Sequence, residues 1–373
     1  MRFIKTEDLK TGMRLARPIY NKDGVLLYER NSKLTHQGIV SVRNFGLLGI
    51  FILEPAEPVP PMTRADIEFE RFQTMFVFSI KEELDTIAKT GRAQKSQLIA
   101  SNIIKDYGHL DAKINFLQNL RTKEDYTYKH SLNVAILCAM MSNMMNLMVA
   151  EQMEVVQAAI VHDIGKIMRF EEEAAAGGEL TDLTMEAREV AGHAVIEEAF
   201  PSKPNIKRIC TQAKKLLQSI KTGEDLSSIR LVNGARILAV AETYDRMTAM
   251  KLEEEPASEV EALKYLLSYP DVFHEKVVDA LIHSVNILVP GVSVELNTGE
   301  KALVLTANER NILQPIILMF RDNSIVDLSD ESEELEIKDI MRTLDNRHVM
   351  DMDLLKKSGI QVEEEEYVEI PII

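Results

Sequence analysis

Residues 159–166 read Ala-Ile-Val-His-Asp-Ile-Gly-Lys, and they are the most informative part of the chain because a His-Asp pair ends an apolar segment. The preceding residues 151–161 are largely apolar and predict a helix that places His162 and Asp163 near a core. A buried carboxylate needs a charged partner or a cation, since its desolvation is otherwise very costly. Taken alone, the pair also fits two polar residues that end an amphipathic helix, so the rest of the chain has to decide.

Three further polar residues occupy comparable places in apolar segments. His130 lies within residues 128–134, His193 follows a glycine, and Glu242 lies within residues 239–245. Imidazole nitrogens and carboxylate oxygens suit manganese, iron, zinc or cobalt better than calcium. A histidine, a His-Asp pair and a late carboxylate on separate helices therefore predict a divalent-metal site. An ion bound there can polarise a phosphoryl oxygen and activate a water molecule.

The segment from about Tyr128 to Val289 resembles the HD-GYP branch of the HD phosphohydrolase superfamily. The matching pieces are Lys129-His130-Ser131, His162 to Ile167, Gly192-His193, Ala235 to Asp245, and Thr248. Members of this branch usually hydrolyse the bacterial second messenger cyclic di-GMP with two or three metal ions. The resemblance implies a mainly α-helical fold with an HD-type helical bundle as its core.

The chain departs from this family at several positions. It contains no Gly-Tyr-Pro sequence, and no histidine occurs between His193 and His274. The family's pair of metal-binding histidines is therefore missing, and Lys214 and Lys215 stand about where that pair belongs. Further replacements relative to the family are Tyr126 for a glutamate, Glu242 for an aspartate, Lys251 for an arginine and Glu254 for a basic residue.

The resemblance implies a role for each retained residue. The implied metal ligands are His130, His162, Asp163 and Glu242, which would hold one Mn, Fe or similar divalent ion per chain. The implied catalytic residues are Asp163 and Lys166, and the implied contacts to a substrate phosphate are Lys166, His193 and Lys251.

Some of these roles stay open. His193 also fits a fifth metal ligand, and Lys166 also fits a solvated lysine beyond a helix end. Glu254 would set a carboxylate near a phosphodiester, which argues against tight binding of cyclic di-GMP.

Three functions are consistent with this pattern. The first is an HD-GYP-type metal-dependent phosphodiesterase whose second metal site is altered, with weak or no hydrolysis of cyclic di-GMP. The second is a catalytically inactive relative that acts in signalling or as a scaffold through partner proteins. The third is a one-metal HD phosphohydrolase that takes another phosphorylated substrate. Retained metal ligands favour the first and third functions, and the missing histidines favour the second.

Composition excludes several classes of partner. The net charge of −16 argues against general nucleic-acid binding, which needs a basic face. No apolar run reaches the ~18 residues that predict a membrane span. The N-terminus lacks the apolar core of a signal peptide, and the two cysteines read as buried thiols. We therefore expect a cytoplasmic protein of bacterial type.

The chain is predicted to have three parts. Residues 1–60 form a β-rich regulatory module with a hairpin turn at 21–24, a helix at 35–45, a strand at 49–53 and a proline-rich linker at 54–61. Residues 61–290 form the helical domain, and an apolar stripe on its first helix fits either packing within the chain or a homodimer contact. Residues 291–373 carry two β-hairpins, two short helices near 336–345 and 351–358, and an acidic tail at 363–366.

Overall fold

The computed structural model describes residues 2–21, 24–45, 47, 49–53, 63–119, 121–168, 182–226, 228–251, 256–330 and 334–341. The chain divides into two compact units. One unit is Phe76–Asn286, and the other combines Met1–Met75 with Ile287–Ile373. The predicted linker at 54–61, the acidic tail, Glu254 and the helix near 351–358 lie outside the described residues. The predicted division into three parts stays a prediction.

Helices make up the unit Phe76–Asn286. In chain order they are α2 (Arg64–Thr90, which begins before this unit), α3 (Ser96–Tyr107), α4 (Tyr126–Met144), α5 (Val149–Val161), a short 3-10 helix (Ile164–Ile167), α6 (Asp182–Ala199), α7 (Pro204–Thr222), α8 (Asn233–Thr248), α9 (Glu259–Leu267), α10 (Pro270–Phe273) and α11 (Glu275–Ile282). None of the described helices combines the length and apolar character needed to cross a lipid bilayer.

Helix α4 is the centre of this unit. Every residue from 130 to 142 is buried, as expected for a helix that is apolar on all sides. It packs against α3, α5 and α8, and α8 is likewise buried throughout residues 237–245. Because residues 130–142 and 237–245 are buried on all sides, any polar side chain among them has to find its partners inside the protein.

The two cysteines also lie inside the helical unit. Cys138 on α4 and Cys210 on α7 are free and buried, which confirms their prediction as buried thiols. Burial raises the pKa of both thiols, so both are protonated at neutral pH.

The N-terminal part contains α1 (His36–Asn44) and five short strands: β1 (Arg2–Lys5), β2 (Arg14–Leu15), β3 (Ile19–Tyr20), β4 (Leu26–Tyr28) and β5 (Gly49–Leu53). Antiparallel β1, β5 and β2 form one sheet in that order, and β3 pairs with β4. The predicted helix, the strand at 49–53 and the hairpin are confirmed, although residues 22 and 23 of its turn are outside the described residues. Leu15, Leu34 and Val42 belong to the core of this part.

The C-terminal part is one antiparallel sheet in the order β10-β6-β7-β8-β9. Its strands are β6 (Ser293–Leu296), β7 (Lys301–Thr306), β8 (Ile316–Met319), β9 (Ile325–Asp327) and β10 (Ile337–Ile340). Both predicted hairpins are present.

The helix expected near 336–345 is wrong over its described part, because residues 337–340 form strand β10. This strand pairs with β6, and Lys338 bonds Glu295 across the pair at 2.6 Å. The branched side chain of Ile337 is buried on the sheet, where β-branched residues pack well. The predicted fold class, a mainly α protein with a helical core and small β-containing parts toward both ends, is confirmed.

Candidate metal centre

Three elements of the helical unit bring potential metal ligands together. His130 lies in the second turn of α4, His162 ends α5, and Glu242 lies on α8. One ligand atom from each residue lies within 4.8 Å of the other two. His130 and Glu242 are buried, and the His162 side chain is nearly so. The convergence predicted from the sequence for these three residues is therefore present in the structure.

The orientation of His130 is set by a carboxylate behind it. The Nδ1 atom of His130 is 2.6 Å from Oδ2 of Asp245. Because a carboxylate only accepts, Nδ1 carries the proton, and the lone pair of Nε2 faces the opposite way. A carboxylate that fixes the tautomer of a ligating histidine is a common second partner in metal sites.

His162 is oriented in the same sense by the backbone. Its Nδ1 atom lies 2.8 Å from the carbonyl oxygen of Ala159 one turn earlier, so Nδ1 donates to that carbonyl. The Nε2 atom of His162 then lies 3.2 Å from the Nε2 atom of His130. Neither Nε2 atom carries a proton, so the two atoms face each other and neither can donate a hydrogen bond to the other.

This arrangement fits a shared cation. Burial lowers the pKa of both histidines, to about 4 for His162, so both rings are neutral at pH 7. Two imidazole nitrogens that shared one tetrahedral ion at about 2.0–2.1 Å would lie about 3.3–3.4 Å apart, close to the 3.2 Å between these two atoms. The donor set of two imidazoles and a carboxylate suits Mn, Fe, Zn or Co.

Asp163 lies beside the two histidines. Its Oδ2 atom is 3.6 Å from Nε2 of His130 and 3.7 Å from Nε2 of His162. The same oxygen accepts a hydrogen bond from Nζ of Lys166 at 2.5 Å. Burial alone would raise the pKa of Asp163, but the positive charge of Lys166 holds it well below its usual range. Asp163 is therefore ionised and has a cationic partner of its own.

Glu242 also has a cationic partner. Arg246, one turn further along α8, pairs with Oε1 of Glu242. The Glu242 side chain is 6% exposed and that of Arg246 is 48% exposed, so the guanidinium lies on the solvent side of the carboxylate. Sequence reasoning gave Arg246 no role, although its spacing of four residues from Glu242 on a helix is the signal that could have found it.

A buried network holds Asp245, the residue that orients His130. Two guanidinium nitrogens of Arg121 donate to its two carboxylate oxygens at 2.6 Å each, and both side chains are buried. Gln118 and Asn133 also donate to Oδ1 of Asp245. Burial would raise the pKa of Asp245, but Arg121 and His130 hold it well below its usual range. Sequence reasoning quoted Asp245 in a motif without assigning it a role and missed Arg121.

The ring of Tyr126 packs against a face of the His130 ring. The two rings are stacked with their centroids 5.6 Å apart, and the Arg121 guanidinium lies 5.3 Å from the centroid of Tyr126. Burial raises the pKa of Tyr126, which keeps its hydroxyl protonated. Lys251 lies near this ring, in a segment paired through a backbone bridge with Arg121. The role of Lys251 as a substrate contact stays a prediction.

The remaining predicted residues lie on α6 and α7. His193 is half-buried on α6, with Glu189, Lys207 and Lys214 as charged neighbours, and burial lowers its pKa. It is not part of the group of converging ligand atoms in the described part of the chain. Lys214 pairs with Glu189 at 3.2 Å, whereas Lys215 pairs with Glu224 at 2.8 Å.

The short 3-10 helix that follows Asp163 packs closely against the backbone of α6. A Cβ atom added to Gly165 would lie 2.2 Å from the carbonyl oxygen of Arg188, and one added to Gly192 would lie 3.0 Å from the backbone nitrogen of Gly165. Arg188 also donates to the carbonyl oxygen of Lys166 at 2.9 Å. Only glycine fits at Gly165 without a shift of the backbone, so this contact fixes the turn that carries Asp163.

Comparison with known proteins agrees with this geometry. Residues 127–247 match the HD domain family. The chain is also similar to a cyclic di-GMP phosphodiesterase of Pseudomonas aeruginosa, with 24% identity over 207 residues. That alignment covers 55% of the chain and 50% of the relative, so the chain spans about half the length of the curated relative it matches. The resemblance predicted from the motifs is confirmed: residues 127–247 match the HD domain family, and the chain is similar to a cyclic di-GMP phosphodiesterase.

Proposed function

We propose that the chain is a metal-dependent phosphohydrolase that holds one divalent ion of the Mn or Fe type. His130, His162 and Glu242 are the ligands, with Asp163 beside them. The observation that carries this proposal is that the unprotonated Nε2 atoms of His130 and His162 lie 3.2 Å apart. The buried carboxylate of Glu242 contributes an oxygen to the same group of potential ligand atoms. Without a cation between them, the two lone pairs would face one another in a buried place, which is costly.

The chemistry follows from the charges around this point. When bound, the ion supplies Lewis acidity toward a phosphoryl oxygen and activates a water molecule. The chain supplies cations for the substrate: Lys166 is half-exposed at the edge of the centre, and Lys251 lies near the Tyr126 ring. Asp163 stays ionised and fixes the position of Lys166 through their hydrogen bond. Asp245 holds the proton on Nδ1 of His130, which keeps Nε2 free.

The substrate class is a phosphoester, and cyclic di-GMP is the first compound to test because the relative from Pseudomonas aeruginosa is a cyclic di-GMP phosphodiesterase. We expect weak or absent turnover of it. The family's second pair of metal-binding histidines is missing, and Lys214 and Lys215, which stand about there in the sequence, are each paired with a glutamate. Metal-activated water and electrostatic stabilisation are each worth several kcal/mol, so partial loss of both lowers the rate by orders of magnitude.

Metal analysis of the purified protein tests this proposal most directly. We expect at most one Mn or Fe ion per chain and none after His162→Ala. His283→Ala is the matched control, because the Nδ1 atom of this exposed histidine also bonds a backbone carbonyl one turn earlier, that of Asp279. Two ions at full occupancy would contradict the one-metal proposal. Turnover of cyclic di-GMP near the ~10 s⁻¹ of ordinary enzymes, lost on His162→Ala, would contradict the expectation of weak activity.

A second candidate is a catalytically inactive signalling module that binds partner proteins. The observation that favours it is that both carboxylates at the centre already have cationic partners, Lys166 and Arg246. This candidate predicts no metal in the purified protein and no metal-dependent hydrolysis of a general phosphodiester such as bis(p-nitrophenyl) phosphate. One bound ion together with hydrolysis that His162→Ala removes would exclude it.

A further inference from the structure

We infer that Arg246 competes with the metal ion for Glu242 and so sets the metal affinity of the centre. This inference rests on the proposed metal site and concerns its regulation. It starts from the geometry of α8, where Arg246 follows Glu242 by one helical turn. Residues four apart on a helix lie on the same face, so their side chains can pair.

The pair places a positive charge where a metal would need the carboxylate. Oε1 of Glu242 accepts from Nη2 of Arg246, and Glu242 is one of the three residues whose ligand atoms converge. A carboxylate oxygen bound to a guanidinium has less electron density and less room for an ion. Binding a metal through this oxygen therefore requires the guanidinium to move away.

The exposure of the two side chains makes such a movement feasible. Glu242 is 6% exposed and cannot follow its partner outward, whereas Arg246 is 48% exposed and borders solvent. A released guanidinium can be solvated at little cost. It would then lie at the edge of the centre, where its planar fork suits a phosphate group.

The Lys166–Asp163 pair likewise combines a half-exposed cation with a nearly buried carboxylate. Lys166 is 47% exposed and Asp163 is 9% exposed. Arg246 is the sharper test of the two, because its partner belongs to the converging group of three ligands and Asp163 does not.

The experiment measures Mn²⁺ binding to the full-length, metal-stripped chain by isothermal titration calorimetry. We expect Arg246→Ala and Arg246→Gln to bind Mn²⁺ roughly tenfold more tightly than the wild type, since a charged hydrogen bond to the ligand no longer has to be broken. Arg246→Lys should fall between them and the wild type. The glutamine variant keeps the length and polarity of the side chain, so it remains informative if the alanine variant folds poorly.

Arg236→Ala is the matched control. Arg236 lies on the same helix but donates to the backbone carbonyls of Asp271 and Val272, so its removal should leave the Mn²⁺ affinity unchanged. Equal or weaker Mn²⁺ binding by both Arg246 variants would overturn the inference and leave the proposed one-metal site standing.

Binding by the Arg246 variants alone, with none by the wild type, would support the inference and reject a metal-loaded wild type. No binding by any of the proteins would overturn both the inference and the proposed function.

Discussion

Two carboxylates on α8, Asp245 and Glu242, lie three residues apart and have opposite surroundings. Asp245 is buried and accepts hydrogen bonds from Arg121, His130, Gln118 and Asn133. Glu242 pairs with a half-exposed arginine at the solvent side of the centre. The inner carboxylate belongs to a fixed framework that orients a histidine, and the outer one has a partner that can be exchanged. The same helix thus supplies both the rigid and the exchangeable side of the site.

The largest difference between the two carboxylates is expected from Asp245→Ala. It leaves the Arg121 guanidinium buried without a counter-ion, and such a loss typically costs about 3–5 kcal/mol in the free energy of unfolding. Asp245→Asn keeps the volume and one acceptor and should cost less. Urea denaturation of the metal-free protein measures both. Glu242→Gln should cost less than about 1 kcal/mol, because the half-exposed Arg246 can turn to water. Equal losses for Asp245→Ala and Glu242→Gln would show that the two carboxylates do not differ as described.

The second prediction concerns the pH dependence of the free energy of unfolding, which depends on His162. The folded pKa of His162 is about 4, below its ordinary value of 6.5. Between these values the unfolded chain binds a proton that the folded chain does not, so the free energy of unfolding falls as the pH drops from 6.5 to 4. The pKa values of Asp163 and Asp245 lie below the usual 3.8, so the stability they contribute is lost only below this window.

We expect the metal-free protein to lose on the order of 1–2 kcal/mol between pH 7.5 and pH 5. Urea denaturation at both pH values measures the loss. His162→Gln should reduce it, and His283→Gln should leave it unchanged. A loss that is the same in the wild type and in His162→Gln would contradict the lowered pKa of His162.

The smallest effect is expected from Lys166→Ala on the exchangeable side. Lys166 is half-exposed and Asp163 is nearly buried, so this pair lies between a surface and a buried ion pair, and the metal-free protein should lose about 1 kcal/mol in the free energy of unfolding. Saturation with Mn²⁺ should remove the difference from the wild type, because the ion then balances Asp163. The control is Lys95→Ala: this lysine is as exposed as Lys166, but its partner Glu82 is itself exposed, and the effect of the substitution should not depend on Mn²⁺. A deficit of the Lys166 variant that persists at saturating Mn²⁺ would contradict this account.

The sequence predicted the metal ligands of the centre better than the buried network around Asp245. His130, His162 and Glu242 stand in apolar helices with recognisable spacing, so their convergence could be expected. Arg121 is not in a helix and is separated from Asp245 by 124 positions, so only the tertiary structure reveals their contact. The pair of Glu242 and Arg246 is local and was available from helical spacing.

Strand β10 shows a different limit of sequence reasoning. Residues 336–345 carry the polar and apolar mixture of a short helix, and the alternation of apolar and polar residues over 335–338 is only a short signal for a strand. The edge of β6 decides the outcome, since its backbone groups and the buried face beside Ile337 accept an extended segment. The correct prediction requires knowing that β6 has an open edge on that side.

The contact between Gly165 and Gly192 has a consequence for how this site can diverge. Lys166 and His193 each follow one of these glycines, so the distance between the two positions is set by main-chain atoms that touch. Either side chain can be replaced without moving the other. A lineage could therefore change the chemistry at one position at a time, and an engineer could graft new substrate specificity onto positions 166 and 193 while the two glycines keep their spacing.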